Sequence, residues 1–170
     1  ARKATLDYPY HDSPVGQLLL VGEGDALVGL YFPGGKHALA PTPAWQRDDN
    51  APIFAQTRRQ LDAYFAGQRQ QFDLKLAPQG TDFQQRVWQQ LRLIPFGETI
   101  SYGELAKRIG DPKSSRAVGA ANGKNPISII VPCHRVIGAD GQLTGFGGGI
   151  ETKRTLLEHE QQYATLFATT

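Results

Sequence analysis

Apolar residues along this chain follow two different periods, and the change from one to the other divides it. Residues 5–32, "TLDYPYHDSPVGQLLLVGEGDALVGLYF", carry short apolar runs at 18–21 and 27–32, separated by Ser-Pro, Gly-Glu-Gly-Asp and Pro-Gly-Gly punctuation. Short runs between turn signals predict the strands of a meander. Residues 33–52 turn to Pro, Gly, Ala and Asp, the composition of a loop. "IFAQTRRQLDAYFAG" then spaces Phe54, Leu61 and Phe65 at helical intervals until Gly67, and "QFDLKLAP" alternates Phe72, Leu74 and Leu76 as a short strand would.

Beyond residue 80 the helical period dominates. "TDFQQRVWQQLRLIPFG" places Thr81 as N-cap, Gln84 three positions on to complete a capping box, and an apolar stripe of Phe83, Val87, Leu91 and Ile94 before Pro95. "SYGELAKRIG" repeats the device with Ser101 and Glu104, turns Leu105 and Ile109 inward, and stops at Gly110. "DPKSSRAVGAANG" has Asp111 as N-cap, Pro112 at the first helical position and Gly123 past the end. Two short helices joined by a tight turn, the second presenting Arg116, outline a helix-turn-helix. "ISIIV" predicts a strand, "RVIGADGQLTG" a wing around an Asp-Gly turn, and "ETKRTLLEHEQQY" a closing helix. The expected architecture is α+β: a small sheet-plus-helix domain over residues 1–78, then a helical winged helix-turn-helix domain over 79–170.

Composition narrows the function classes. With 170 residues, 40% hydrophobic and 20% charged, the chain is long enough for one compact domain or two small ones with real cores. No stretch approaches the roughly 18 apolar residues of a membrane span, and residues 1–14 lack the apolar core of a signal peptide, so a cytoplasmic protein is expected. One cysteine excludes an internal disulfide and a multi-thiolate metal site. Histidines 11, 37, 134 and 159 are scattered without zinc-ligand spacing, and no metal is expected. The net charge of +2 is small, but residues 99–135 hold six basic side chains against Glu104 and Asp111, a local net of +4. Such a cluster is usually a solvated face. The helix that carries Arg116 is nearly bald, with Ala117, Gly119, Ala120 and Ala121. Small residues serve close helix packing, and they equally allow approach to a nucleic-acid backbone or minor groove. Spacing does not separate the two.

The single thiol sits in "IIVPCHRVIG". An isolated cysteine is only a few per cent thiolate at neutral pH, so a useful nucleophile needs a base nearby. His134 is adjacent, and Pro132 breaks any strand ladder, so a turn could bring imidazole and sulfur together directly or through water. Glu98, Glu104, Glu158 and Glu160 could each orient the imidazole. The commoner role of a free cysteine is a buried structural side chain.

"VPCHRVIG", preceded by "RAVGAANGKNP" and followed by "GFGGG" and "KRTLLEHE", resembles the O6-alkylguanine-DNA alkyltransferases. The likeness runs without a gap from about Thr81 to Glu160, and "DSPVGQLLL", "LDAYF" and "FDLKL" fit the family's N-terminal, ribonuclease-H-like domain. The resemblance implies that Cys133 captures an alkyl group from O6 of guanine as a thioether, that His134 draws off the thiol proton through a water, and that Glu160 holds the imidazole. It implies that Tyr102 donates to the departing purine and that Asn125 braces the turn beneath the site. Val136, the Phe146, Gly147 and Gly148 loop and Lys153 would bind the base. Arg116 would fill the gap left by the flipped nucleotide, with Ala117, Ala120, Ala121, Ser101 and Lys124 on the DNA.

The implied protein is a single-turnover enzyme without cofactor. Its partner is double-stranded DNA containing O6-alkylguanine, and it is expected to be a monomer in solution in a bacterial cytoplasm, with cooperative binding along DNA left open. Phe146 stands where the family pattern has tyrosine, and Gly147 where some members carry serine or arginine. The alternatives are a non-catalytic winged-helix protein that binds lesions and a cysteine hydrolase using Cys133 and His134. The first fits poorly with the presence of Cys133, and the second gives the helix-turn-helix no purpose.

Overall fold

The computed structural model describes residues 5–168. Strand β3 (Gly16–Glu23) is the centre of the N-terminal sheet. Along one side run β1 (Asp7–Tyr8) and β2 (Tyr10–Ser13), both antiparallel to it, with Tyr10 opposite Leu19. Pro9 has no N–H and interrupts this edge, while its carbonyl still accepts from Leu20 N at 3.0 Å. On the other side β4 (Ala26–Tyr31) pairs antiparallel, Leu20 opposite Leu30. The expected meander is present. A two-residue strand inside the predicted loop, β5 (Gln46–Arg47), lies parallel to β1. Both of its residues are exposed, so no apolar period marks it.

Helix α1 (Pro52–Phe65) begins on Pro52, whose fixed φ suits a first helical turn, and buries Ile53, Phe54, Leu61 and Tyr64. Leu18, Leu20, Leu27 and Leu30 share that core. Leu19, Val21 and Val28 form a second cluster with Tyr8, Tyr10, Tyr31 and Trp45. Burial on both faces explains why these strands read as continuous apolar runs.

The free edge of β4 is divided between two segments. Leu76 bridges Leu27 at one end, and Ile127 bridges Leu30 at the other, with Leu30 N on Pro126 O at 2.8 Å and Ser128 N on Leu30 O at 3.2 Å. Neither segment can extend along an edge the other occupies, so the strands expected at 72–76 and 127–131 reduce to single bridges. Past Ile127 the chain turns, with Ile129 in the left-handed region (φ 74°) and Val131 N bonded to Ile127 O at 3.0 Å.

In the second half, α2 (Asp82–Leu91) starts in the predicted capping box, with Gln84 N on Thr81 Oγ1 and Thr81 N on Gln84 Oε1. Helix α3 (Tyr102–Arg108) is capped by Ser101, but the Glu104 carboxylate pairs with Arg108 instead of reaching back to the cap. Helix α4 (Ser115–Gly123) starts later than its sequence suggests. Ser114 N and Oγ both bond Asp111 O, closing residues 111–114 into a separate turn. The predicted wing is a loop: its Asp-Gly turn is closed by Gly138 N on Gln142 O at 2.9 Å. Strand β6 (Ile100–Ser101) precedes α3, and β7 (Val136–Ile137), at the start of this loop, pairs parallel with it and forms no hairpin. The closing helix α5 spans Ile150–Ala168. One apolar core joins both halves, from Leu18, Leu30 and Leu61 to Val87, Leu105, Ile127 and Leu156.

Candidate active site

Cys133 opens a 3-10 turn, Cys133–Arg135, and is 5% exposed. Asn125 builds the loop that delivers it: its Oδ1 accepts from Ile127 N at 3.0 Å and its Nδ2 donates to Val131 O at 2.7 Å. Asn122 Nδ2 donates to Cys133 O at 3.4 Å. Burial pushes the thiol above its ordinary value, against the opposing pull of hydrogen bonding from Asn125, the charge of Lys153 and hydrogen bonding from Ser128. The resting sulfur is therefore a protonated thiol at neutral pH and needs a base.

The adjacent imidazole has the chemistry of one. His134 is fully buried, and its Nε2 lies 2.7 Å from Glu160 Oε2. Burial pushes the imidazole below its ordinary value and outweighs the Glu160 carboxylate, with Arg135 and Lys153 adding to the effect. Burial alone would raise the Glu160 carboxyl, but His134 and then Arg135 outweigh it and hold it far below the usual carboxylate range. Arg135 grips it bidentately, Nε on Oε1 at 2.7 Å and Nη2 on Oε2 at 2.9 Å, and Gly97 N donates to Oε1 at 3.2 Å. An ionised carboxylate accepts only, so Nε2 of the neutral imidazole carries the proton and Nδ1 is the lone pair. Nδ1 is buried with no hydrogen-bond partner among the described residues.

Of the four carboxylates that the residues alone left open, the structure brings to the imidazole Glu160, the one the resemblance implies. Glu98 and Glu158 are exposed, and Glu104 pairs with Arg108 on the surface of α3.

A narrow pocket lies over the sulfur, lined by Phe32, Lys36, His37, Ser128, Gly145 and Phe146 among others. It adjoins a wider groove lined by Tyr102, Arg116, Gly119, Ala120, Lys124 and Thr144, and the two share Lys36, His37, Gly123, Gly145, Phe146 and Gly147. The glycine loop is pressed against the segment after β4. A Cβ on Gly35 would collide with Gly147 O, and one on Gly148 would sit 2.9 Å from the Phe32 ring, so both close approaches require glycine. Phe146 packs edge-on to Phe32 with centroids 5.4 Å apart.

Lys153 crosses the core fully buried, and its Nζ donates to Val136 O at 2.7 Å and, at longer range, to Thr144. Burial lowers its pKa, opposed by Cys133. Tyr102 hydrogen-bonds Thr144 Oγ1, so phenol and ammonium meet on one threonine. Val136 is buried, with its N–H bonded to Cys133 O and its carbonyl accepting from Lys153 Nζ at 2.7 Å.

Arg116, Ala117, Ala120 and Lys124 lie exposed on and just beyond α4, and Ser101 is half-buried at the start of α3. Ala121 does not belong to that face. It is 3% exposed, packed in the core, and its carbonyl accepts from Trp88 Nε1 at 2.9 Å, because its position on the helix turns it toward α2. Arg135, part of the basic stretch in sequence, is likewise turned inward onto Glu160. The exposed cations of that stretch are Lys107, Arg108, Lys113, Arg116 and Lys124.

Several site residues escaped the sequence reading. Arg135 stands inside "PCHRV" and Thr144 just before the glycine loop, positions that could have drawn attention. Lys36 and His37 sit in a segment whose composition says only loop, and Tyr64 in an ordinary amphipathic helix.

Two family models match the chain: "6-O-methylguanine DNA methyltransferase, ribonuclease-like domain" over residues 6–78 and "6-O-methylguanine DNA methyltransferase, DNA binding domain" over residues 82–162. A methylated-DNA–protein-cysteine methyltransferase of Methanosarcina acetivorans is 52% identical over 153 residues, 90% of this chain and 97% of the relative. A crystal structure of the Mycobacterium tuberculosis O6-methylguanine methyltransferase aligns with a TM-score of 0.84 at 51% identity, covering 96% of this chain and 99% of that one. A crystal structure of Mycobacterium tuberculosis OGT in complex with DNA aligns with a TM-score of 0.85 at 52% identity, over 92% of this chain and 94% of that one.

Proposed function

The chain belongs to the 6-O-methylguanine DNA methyltransferase family, and from that premise we propose that it repairs DNA by moving an alkyl group from O6 of guanine onto Cys133 Sγ. The observation that carries this reading is the buried relay in which Glu160 accepts a hydrogen bond from Nε2 of a neutral His134 and leaves Nδ1 as the proton acceptor. His134 Nδ1 receives the thiol proton through a water, the sulfur attacks the alkyl carbon, the C–S bond forms and the C–O6 bond breaks. Tyr102, hydrogen-bonded to Thr144, donates its hydroxyl proton to the purine, so the base departs as neutral guanine. The buried relay stabilises the developing imidazolium through Glu160, whose own charge is held by Arg135. A thioether has no good leaving group, so each molecule acts once and needs no cofactor.

An alkyl group on guanine O6 lies inside the duplex stack, out of reach of a sulfur that is 5% exposed, so the nucleotide must rotate out into the pocket. The exposed Arg116, flanked by Ala117 and Ala120, is the side chain suited to fill the gap, and the neighbouring cations meet phosphates. Binding to lesion-bearing duplex without chemistry would leave the thiol, the imidazole lone pair and the paired carboxylate without a role.

Incubating the protein with duplex DNA carrying O6-methylguanine is expected to add one methyl group per molecule, on the peptide containing Cys133, by mass spectrometry. Cys133→Ala is expected to lose transfer and keep DNA binding. Repaired DNA beside an unmodified Cys133 peptide would defeat the assignment.

A further inference from the structure

Glu160 receives a further hydrogen bond that the transfer mechanism does not use. Tyr64, fully buried near the end of α1, donates its hydroxyl to Glu160 Oε2 at 2.6 Å, the same oxygen that faces His134 Nε2 at 2.7 Å. We propose that Tyr64 is a positioning residue for the proton relay, through which the N-terminal domain sets the basicity of His134.

The geometry supplies the argument. Oε2 is shared by three donors: the Tyr64 hydroxyl, His134 Nε2 and Arg135 Nη2. Each donor withdraws negative charge from the oxygen, so a stronger Tyr64 bond leaves a weaker attraction for an imidazolium. The phenol is itself rigidly held. Its ring packs against Phe65, Phe72, Phe96 and His159 with centroids 4.9–5.9 Å away, and the Tyr64 carbonyl lies 2.8 Å from His159 Nε2. Burial next to the Glu160 charge raises the phenol well above its ordinary value, so it remains a donor across the working pH range.

The other charged or titratable groups acting on His134 are Glu160 and Lys153 of α5 and Arg135 of its own turn. Cys133 precedes it in the same turn. The segment after α2 contributes backbone: Ile94 O to Arg135, and Gly97 N to Glu160. Tyr64 is thus the contribution of α1 to the relay, and it crosses from one half of the chain to the other. A purely structural tyrosine would need a partner for its hydroxyl, but not the oxygen that orients the base.

This inference rests on the alkyl-transfer reading for its consequence, not for its measurement. In Tyr64→Phe the packing ring remains and one donor leaves Oε2. The titration midpoint of His134, followed by NMR, and the acid limb of the methyl-transfer rate are both expected to move up by about 0.5–1 pH unit. 3-Fluorotyrosine placed at position 64 alone keeps the ring and strengthens the donor, and is expected to move the His134 midpoint down. If neither substitution moves that midpoint, Tyr64 is only packing and the proposal is overturned, even where Tyr64→Phe lowers thermal stability or slows transfer equally at every pH. If the unsubstituted protein transfers no methyl group, the repair reading fails, while the coupling of Tyr64 to His134 is still read from the NMR titration.

Discussion

Leu30, on the sheet of the first half, pairs with Ile127 at the entrance to the loop that delivers Cys133. Asn125 completes that loop by bonding Ile127 N and Val131 O, both from a buried position. Asn125→Ala removes both bonds at once and leaves the buried Ile127 N–H unsatisfied, while Val131 O keeps its bond from Cys133 N at 2.8 Å. Such an orphan costs about 1–3 kcal/mol. The variant is expected to lose about 1–3 kcal/mol of stability in urea unfolding, and to react more slowly at Cys133 even where it is folded.

Arg135 holds a carboxylate that is 1% exposed. Removing one partner of a buried ion pair leaves an uncompensated charge, so Arg135→Met is expected to cost about 3–5 kcal/mol in equilibrium unfolding. Lysine cannot reproduce the bidentate grip, and Arg135→Lys is expected to recover only part of the loss.

The relay also sets the pH dependence of stability. His134 is held below its ordinary value of 6.5, so folding favours the neutral ring; that contribution is present above pH 6.5 and is lost as pH falls from 6.5 toward the folded value. Glu160 is held far below its ordinary 4.5, so its contribution is present above pH 4.5 and lost below it. The urea midpoint is expected to fall in two stages on acidification, and His134→Gln to remove the upper one. A wild-type profile flat from neutrality to pH 4.5 would contradict the neutral imidazole.

Arg116 is exposed on α4, away from the buried relay. Arg116→Ala is expected to slow repair in duplex DNA by at least roughly tenfold, on the order of the few kcal/mol that unstacking a base costs. Reaction with free O6-methylguanine base should be nearly unchanged. Equal losses on both substrates would remove Arg116 from base flipping. Duplex affinity should also fall steeply with added salt, because the exposed lysines and arginines displace counterions.

The amino-acid sequence by itself determined the elements whose signals are local. The Thr81–Gln84 capping box, the Ser101 cap, the stripe through Val87 and Leu91 and the meander around β3 all appear where periodicity and turn chemistry place them. The family was also legible, because "PCHRV" and its flanks are contiguous. Tertiary structure decided what depends on neighbours distant in the chain. "ISIIV" became a turn because Leu30 claims only Ile127 and Asn125 closes the rest. Ala121 and Arg135 turned inward because α2 and Glu160 wait there. The residues alone left Glu160 level with three rival carboxylates and only the resemblance singled it out; the physical reason came with folding, which buried it against His134, Arg135 and Tyr64. Periodicity reports which face of an element is apolar, whereas a charge is stabilised in the interior only by the particular donors that surround it, and those come together only in the folded chain.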